Sequence, residues 1–264
     1  MKESHILSLS GGKDSTALAL YIKNNYPELH QKIEYVFYDT GCDLKETYDY
    51  LNKIEVFTNK KITYVKPPKS FDEILSINKV LPTIFRRWCT IELKIKPSNT
   101  FLRSYIEMNN LDKVNLYVGI RADEQYRKGV VLKTEFEKKY IQPRYPFIED
   151  KIYKNDVEKI LVDNAIGYPD YYKWRSRNGC FFCPFQTLYE WIQLYEHHPD
   201  LFKKAMNYEK MGDVGTKIKF RFNPIMPLDE IIKPENIARI KKQYFEKLQK
   251  NKKNVKCLKL IDKF

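Results

Sequence analysis

Cysteine is scarce in this chain of 264 residues: the five present are too few for a disulfide scaffold and suit metal-binding, catalytic or buried thiols. Long apolar runs are missing as well. No stretch approaches the roughly 18 residues that a membrane-spanning helix requires, so no membrane role is expected. The N-terminus, Met-Lys-Glu-Ser-His, has no hydrophobic signal segment, and a cytoplasmic location is the expectation. Internal repeats and low-complexity linkers are also absent, which excludes a repeat architecture and leaves one large domain, or a core with an appendage. Acidic residues are outnumbered, 34 Asp and Glu against 47 Lys and Arg, for a formal net charge of +13. Lysine-dressed helix faces explain that excess as well as an anionic partner would, be it nucleotide or nucleic acid.

Apolar runs alternate with helical patterns in the first part of the chain. Strands are predicted at Ile6–Ser10, Ile33–Tyr38, Ile62–Val65 and Val114–Ile120, and helices at Asp14–Asn25, Lys45–Phe57 and Ser98–Asn109. That alternation indicates βαβ units: an α/β fold with a twisted parallel sheet flanked by helices. From about Ile152 the pattern turns helical and aromatic, with helices predicted at Asp156–Asn164, Leu188–His197, Pro199–Met211 and a basic one around Glu235–Asn251. The expected division is 1–150 as the α/β core and 151–264 as a mainly helical region.

In parallel sheets ligands collect beyond the carboxyl ends of the strands. The first predicted strand runs into Ser10-Gly11-Gly12-Lys13-Asp14-Ser15. Gly11 and Gly12 let the backbone approach an anion closely, successive N–H groups can form a nest, and the helix opening at Asp14 adds its positive dipole end. The long spacer of the Walker loop is missing. The next strand end reads Asp39-Thr40-Gly41-Cys42, polar groups suited to a ribose or adenine, although an ordinary loop has the same composition. Arg121, after the strand Val114–Ile120, places a guanidinium where a phosphate would lie, or forms a surface salt bridge.

Two further segments stand out. Arg86-Arg87-Trp88-Cys89-Thr90 with Lys94 and Lys96 reads as an anion-facing loop. Arg175-Ser-Arg177-Asn-Gly179-Cys180-Phe-Phe-Cys183-Pro184 carries a Cys-x-x-Cys turn, which zinc, an iron–sulfur cluster or a redox dithiol could each use. Cys89 could join it as a third thiol.

Together these blocks resemble a known family. The Ser-Gly-Gly-x-Asp-Ser loop is similar to that of the PP-loop ATP pyrophosphatases. With Asp39-Thr40-Gly41 and Glu46-Thr47, then Arg87-Trp88-Cys89-Thr90 and Lys94, then Gly119-Ile120-Arg121-Ala122-Asp123-Glu124, the order resembles the phosphoadenosine-phosphosulfate (PAPS) reductase-like family. Tyr145-Pro146-Phe147-Ile148 with Asp156-Val157, Tyr171-Tyr172 and Gly179-Cys180-x-x-Cys183-Pro184 look like its later blocks, so the likeness covers roughly residues 5–211. The resemblance implies an adenine-nucleotide α-hydrolase-like fold, and ATP with Mg²⁺ split into AMP and pyrophosphate. It implies Ser10, Gly11, Gly12, Lys13, Asp14 and Ser15 at the phosphates, Asp39, Thr40 and Gly41 at the adenosine, and Lys13, Asp14, Lys94 and Arg121 at the reacting phosphate.

Family members include PAPS and APS reductases and the ATP pyrophosphatase of DNA phosphorothioation; related PP-loop proteins thiolate tRNA. The reductases carry a Glu-Cys-Gly-Ile-His tail, whereas here the tail reads Asn254-Val-Lys-Cys257-Leu. Trp88 stands where cluster-bearing APS reductases have the first of two adjacent cysteines. That leaves Cys89, Cys180 and Cys183, with Cys42 or Cys257 as a candidate fourth ligand, for a 4Fe–4S cluster, zinc or no metal. The expectation is an adenylating sulfurtransferase acting on nucleic acid, with a cysteine desulfurase as the candidate sulfur donor. The alternatives are a sulfonucleotide reductase and a non-catalytic ATP-binding subunit.

Overall fold

The computed structural model describes residues 1–128, 134–212 and 221–261, with side chains described up to residue 250. Cys257, Lys252 and Lys253 of the basic tail therefore lie outside the described side chains. The chain forms two compact units: Met1–Ile74 with Trp88–Cys180, and Leu75–Arg87 with the chain from Phe181 onward.

In the first unit five strands make one wholly parallel sheet in the order β3-β2-β1-β4-β5, where β1 is Glu3–Leu9, β2 Glu34–Tyr38, β3 Ile62–Val65, β4 Lys113–Tyr117 and β5 Ile141–Arg144. Ile6 sits opposite Glu34 of β2 and Leu116 of β4, so β1 is central. Four helices flank the sheet: α1 (Lys13–Asn25), α2 (Lys45–Thr58), α3 (Lys96–Asn109) and α4 (Lys154–Asp163). Side-chain alternation sends Leu7, Leu9, Tyr35 and Phe37 to one face, where they pack with Leu18 and Ile22 of α1, Leu51 and Ile54 of α2 and Leu161 of α4. Ile6, Val36, Val114 and Leu116 point the other way, onto Leu102 and Ile106 of α3. A sheet covered on both faces explains why its strands read as continuous apolar runs.

The predicted strands and helices are found, with shifted ends. The fourth strand stops at Tyr117: the Val118 N–H still bonds Arg144 O of β5, but the Ile120 N–H turns back to Val118 O. The sequence reading missed β5. It is short and carries Pro143, which an edge strand tolerates.

The second unit is helical: α5 (Leu188–His197), α6 (Pro199–Gly212) and α7 (Pro234–Ile261). Thr187 and Glu190 form a reciprocal capping box that starts α5. Trp191, Phe182, Phe202 and Phe222 are buried together, with the Trp191 and Phe222 rings 5.8 Å apart. Within this unit the Glu209 carboxylate is buried and accepts the Phe222 and Leu228 N–H groups, each at 2.9 Å; burial pushes its pKa up. Among the described residues no helix is long and apolar enough to cross a membrane.

Candidate active site

Strand order reverses at β1, which pairs with β2 on one side and β4 on the other, and the crevice beyond such a switch point is where α/β sheets take ligands. The loop Ser10–Gly12 leaves β1 there and enters α1. Gly11 has φ +70°, a left-handed conformation that glycine adopts without strain, and a Cβ built on it would lie 2.6 Å from Thr47 Cγ2. Ser10 and Ser15 fasten the loop's ends: the Ser10 N–H donates to Ser15 Oγ at 3.0 Å and the two hydroxyls lie 2.9 Å apart. Gly12 O, facing into α1, accepts from Thr16 Oγ1 at 2.9 Å and Ser15 Oγ at 3.2 Å.

The N–H groups of the turn meet neutral hydroxyls. Gly12 N donates to Ser10 Oγ at 3.2 Å and Lys13 N to the Tyr172 hydroxyl at 3.3 Å. Gly12, the N-cap of α1, offers no side-chain cap of its own. Long bonds to uncharged oxygens at the positive end of a helix make this turn receptive to an anion, since a phosphate oxygen accepts more strongly than a hydroxyl.

The loop after β4 closes one side. Gly119 packs so tightly on the start of α1 that a Cβ there would be 2.9 Å from Asp14 O and 3.1 Å from Ser15 Cα. Two residues on, mostly buried Arg121 reaches Asp14 Oδ1 through Nη1 at 2.7 Å, Asp123 Oδ1 through Nε at 3.1 Å, and Glu124 Oε1 through Nη2 at 3.1 Å. Burial works against the Arg121 cation, but hydrogen bonds to Asp123 and Asp14 outweigh it and hold its pKa above the ordinary value. The same contact with Arg121 draws the Asp123 carboxyl below its usual range. Arg121 and Asp14, distant in sequence, thus meet directly, and the guanidinium stands at the mouth of the loop amid three carboxylates. Lys13 Nζ leans toward Glu158 Oε1 of α4 at 3.7 Å.

The loop after β2 is shaped by its own polar groups. Asp39 Oδ1 accepts the Gly41 N–H at 2.8 Å and the Tyr48 hydroxyl at 2.7 Å, and Gly41 takes φ +68°. Burial, then the bond to Asp39, raises the Tyr48 pKa. Thr40 Oγ1 donates to Asp43 Oδ2 at 3.0 Å and accepts the Cys42 N–H at 3.2 Å. Asp39 and Thr40 are buried here, and their polar atoms hold the turn together.

The predicted thiols are carried by several elements. Cys42 is buried, and Cys180 Sγ lies 3.4 Å from Thr40 Oγ1. Cys89 is half-buried on the short helix Trp88–Thr90, whose Trp88 ring stacks on Phe71 at 5.3 Å. Cys183 belongs to the second unit, where its carbonyl accepts from Gln186 N. Among the described residues no group of three or more His, Cys, Asp or Glu side chains is arranged to hold a metal ion. Lys94 sits half-buried on the π-helical turn Ile91–Ile95 leading into α3, a different element from those that build the loop.

Sequence reasoning missed Asn178 as a site residue. Its amide donates to Ser10 O and accepts from Thr47 Oγ1 at 3.1 Å, pinning the loop to α2. Its neighbours Gly179 and Cys180 drew attention as a thiol turn; the polar residue beside them carried no comparable signal.

These features define a class first: a parallel α/β protein whose candidate site is an anion-receptive strand–loop–helix turn at the sheet's switch point. Residues 4–184 match the family model of the phosphoadenosine phosphosulfate reductase domain, and the chain belongs to that family. Two uncharacterized proteins of Methanocaldococcus jannaschii are similar to it. One is 29% identical over 209 residues, covering 77% of this chain and 47% of that protein. The other is 28% identical over 212 residues, covering 78% and 42%. The chain thus spans about half the length, or less, of the curated relatives it matches. Among solved structures, a PAPS reductase from Candida auris in a phosphate complex is similar with TM-score 0.46 and 16% identity, covering 67% of this chain and 81% of that one. The U34-tRNA thiolase NcsA of Methanococcus maripaludis, with its 4Fe–4S cluster, is similar with TM-score 0.41 and 16% identity, covering 87% and 80%.

Proposed function

We propose that this chain uses ATP to adenylate an acceptor oxygen, releasing pyrophosphate, and that sulfur then displaces AMP. The observation that carries this reading is the turn at the end of β1, whose Gly12 and Lys13 N–H groups are paired with neutral hydroxyls at the positive end of α1. ATP would lay its β- and γ-phosphates on these N–H groups and Lys13, entering with Mg²⁺. A lone pair of the acceptor oxygen attacks the α-phosphorus, and the bond to the β-phosphate oxygen breaks, its electrons leaving with pyrophosphate. Arg121 and Lys94 are the cations proposed to balance the charge that builds there. A hydrosulfide ion then attacks the activated centre, AMP departs with the electron pair of the cleaved bond, and the sulfur's proton goes to solvent. No oxidation state changes. A persulfide from a cysteine desulfurase would need a second thiol to split its S–S bond. No step is routed through a metal cluster.

Nucleic acid is the proposed acceptor, supported by the net charge of +13. The test is AMP and pyrophosphate release from ATP·Mg²⁺ in the presence of bulk tRNA or duplex DNA. Stimulation by one of them is expected. A folded protein that releases neither product with either acceptor overturns the reading.

The family's own description favours a second reading, reduction of a sulfonucleotide. Thioredoxin-dependent sulfite release that collapses in Cys257→Ser would put it first.

A further inference from the structure

The segment 170–180 bonds to the phosphate loop at Ser10, Gly11 and Lys13 and lies beside Gly12. Asn178 Nδ2 donates to Ser10 O, and Tyr171 donates to Gly11 O at 2.8 Å. Asn178 Cβ lies 3.4 Å from where a Cβ on Gly12 would be, and the Tyr172 hydroxyl accepts the Lys13 N–H at 3.3 Å. At its far end the same segment presents Cys180. The Arg175 guanidinium grips Gly179 O at 2.9 Å and Cys180 O at 2.7 Å, and Cys180 Sγ sits against Thr40.

One of these contacts conflicts with an occupied loop. An anion seated at the start of α1 needs the Lys13 N–H, which Tyr172 now holds. A bond from N–H to a charged oxygen is roughly twice as strong as one to a neutral oxygen, so the anion wins the donor. The phenol, which also interacts with the Tyr171 hydroxyl, can then donate its own O–H to the anion; burial raises its pKa, so it keeps that proton. Its ring is held between Tyr171 at 4.8 Å and Tyr168 at 6.0 Å. Any shift of the ring is passed to the turn Asp170–Lys173 that carries it, and that turn leads directly to Arg175.

We propose that Tyr172 is a phosphate ligand of the loop, and that Asn178 is the positioning residue that makes phosphate occupancy and the placement of Cys180 depend on each other. The inference rests on the nucleotide reading above and adds to it a link between the ATP loop and a thiol. By linkage the effect is reciprocal: whatever fixes Cys180 changes nucleotide affinity by the same factor.

The experiment is amide hydrogen exchange on the full chain, with and without α,β-methylene-ATP and Mg²⁺, alongside calorimetric titration. In the wild type the analogue is expected to change exchange both in peptides covering residues 8–17 and in those covering 168–181. Tyr172→Phe should bind about tenfold more weakly, the loss of one hydrogen bond to a charged group. Asn178→Ala should keep the response of the loop and lose that of 168–181. Should the alanine variant fail to fold, Tyr172→Phe, which removes one oxygen, carries the test, because its 168–181 response should vanish too. Wild-type or tighter binding by Tyr172→Phe overturns the ligand role. Protection of the loop with no change in 168–181 overturns the coupling and leaves the nucleotide reading intact. No binding by the folded wild type overturns both.

Discussion

Replacing Gly11 by alanine puts two separable strains on the loop Ser10–Gly12. The first is local: Gly11 has φ +70°, and forcing an L-residue with a Cβ into the left-handed region costs about 1–2 kcal/mol. The second is steric. The new methyl would stand 2.6 Å from Thr47 Cγ2, and Thr47 is fully buried and tied through its hydroxyl to Asn178, so it has nowhere to turn. Overpacking of this kind costs about 1–3 kcal/mol. Together they predict a loss of about 2–5 kcal/mol, or a fall in Tm of about 5–15 °C for a chain of this size. Thr47→Ser removes the obstructing methyl and keeps the hydroxyl for Asn178. In the Gly11→Ala background it should therefore return the steric share, a coupling of about 1–3 kcal/mol in a double-mutant cycle, and leave the backbone share unrecovered. Thermal and urea unfolding of the four proteins, with pyrophosphate release in parallel, measures both. A Gly11→Ala protein within about 0.5 kcal/mol of wild type, or a cycle with no coupling, refutes the reasoning.

Other expectations follow from the same geometry. A Cβ at Gly119 would press on the backbone of Asp14 and Ser15, where no side chain can yield, so Gly119→Ala should cost about 1–3 kcal/mol and weaken ATP binding in a calorimetric titration. Gly12→Ala, whose Cβ would meet its neighbours at 3.3–3.5 Å, should stay within about 1 kcal/mol of wild type in urea unfolding. Arg121→Ala leaves Asp14, Asp123 and Glu124 without their shared cation; because these carboxylates are partly exposed, the expected loss is about 1–3 kcal/mol at pH 7. Asp123 is held below its usual pKa by Arg121, so its contribution is present above about pH 4 and lost as pH falls further. The Arg121→Ala deficit in urea midpoints should accordingly shrink between about pH 4 and pH 2. His5 and His30 are both held below 6.5, chiefly by burial, so stability should be complete above that pH and decline below it; His5→Gln with His30→Gln should flatten the decline between about pH 6.5 and 5.

Much of the scaffold was legible before any coordinates. Continuous apolar runs separated by helix-length segments read as a parallel sheet because a strand buried on both faces has no polar side to show. Strand β5 escaped because Ile141-Gln-Pro-Arg144 is short and unpatterned; it is a strand only because β4 offers a free edge with Leu116 opposite Pro143. Leu75–Arg87 belongs with the chain from Phe181 onward, an association between segments a hundred residues apart that composition cannot report.

For the site the division is sharper. Ser10-Gly11-Gly12-Lys13-Asp14-Ser15 by itself determined that β1 would end in a tight turn at a helix start, because glycine's freedom and the polarity of a helix start are properties of the local chain. Arg121 was recognisable as a guanidinium beyond a strand end. Only the tertiary structure decided that it would face Asp14, that Gly119 would lie against α1 and that Asn178 and Tyr172 would hold the loop's carbonyl and N–H. These contacts join residues more than a hundred positions apart. Their distances are set by how the sheet and its helices pack, to a fraction of an ångström, and no local pattern carries that information.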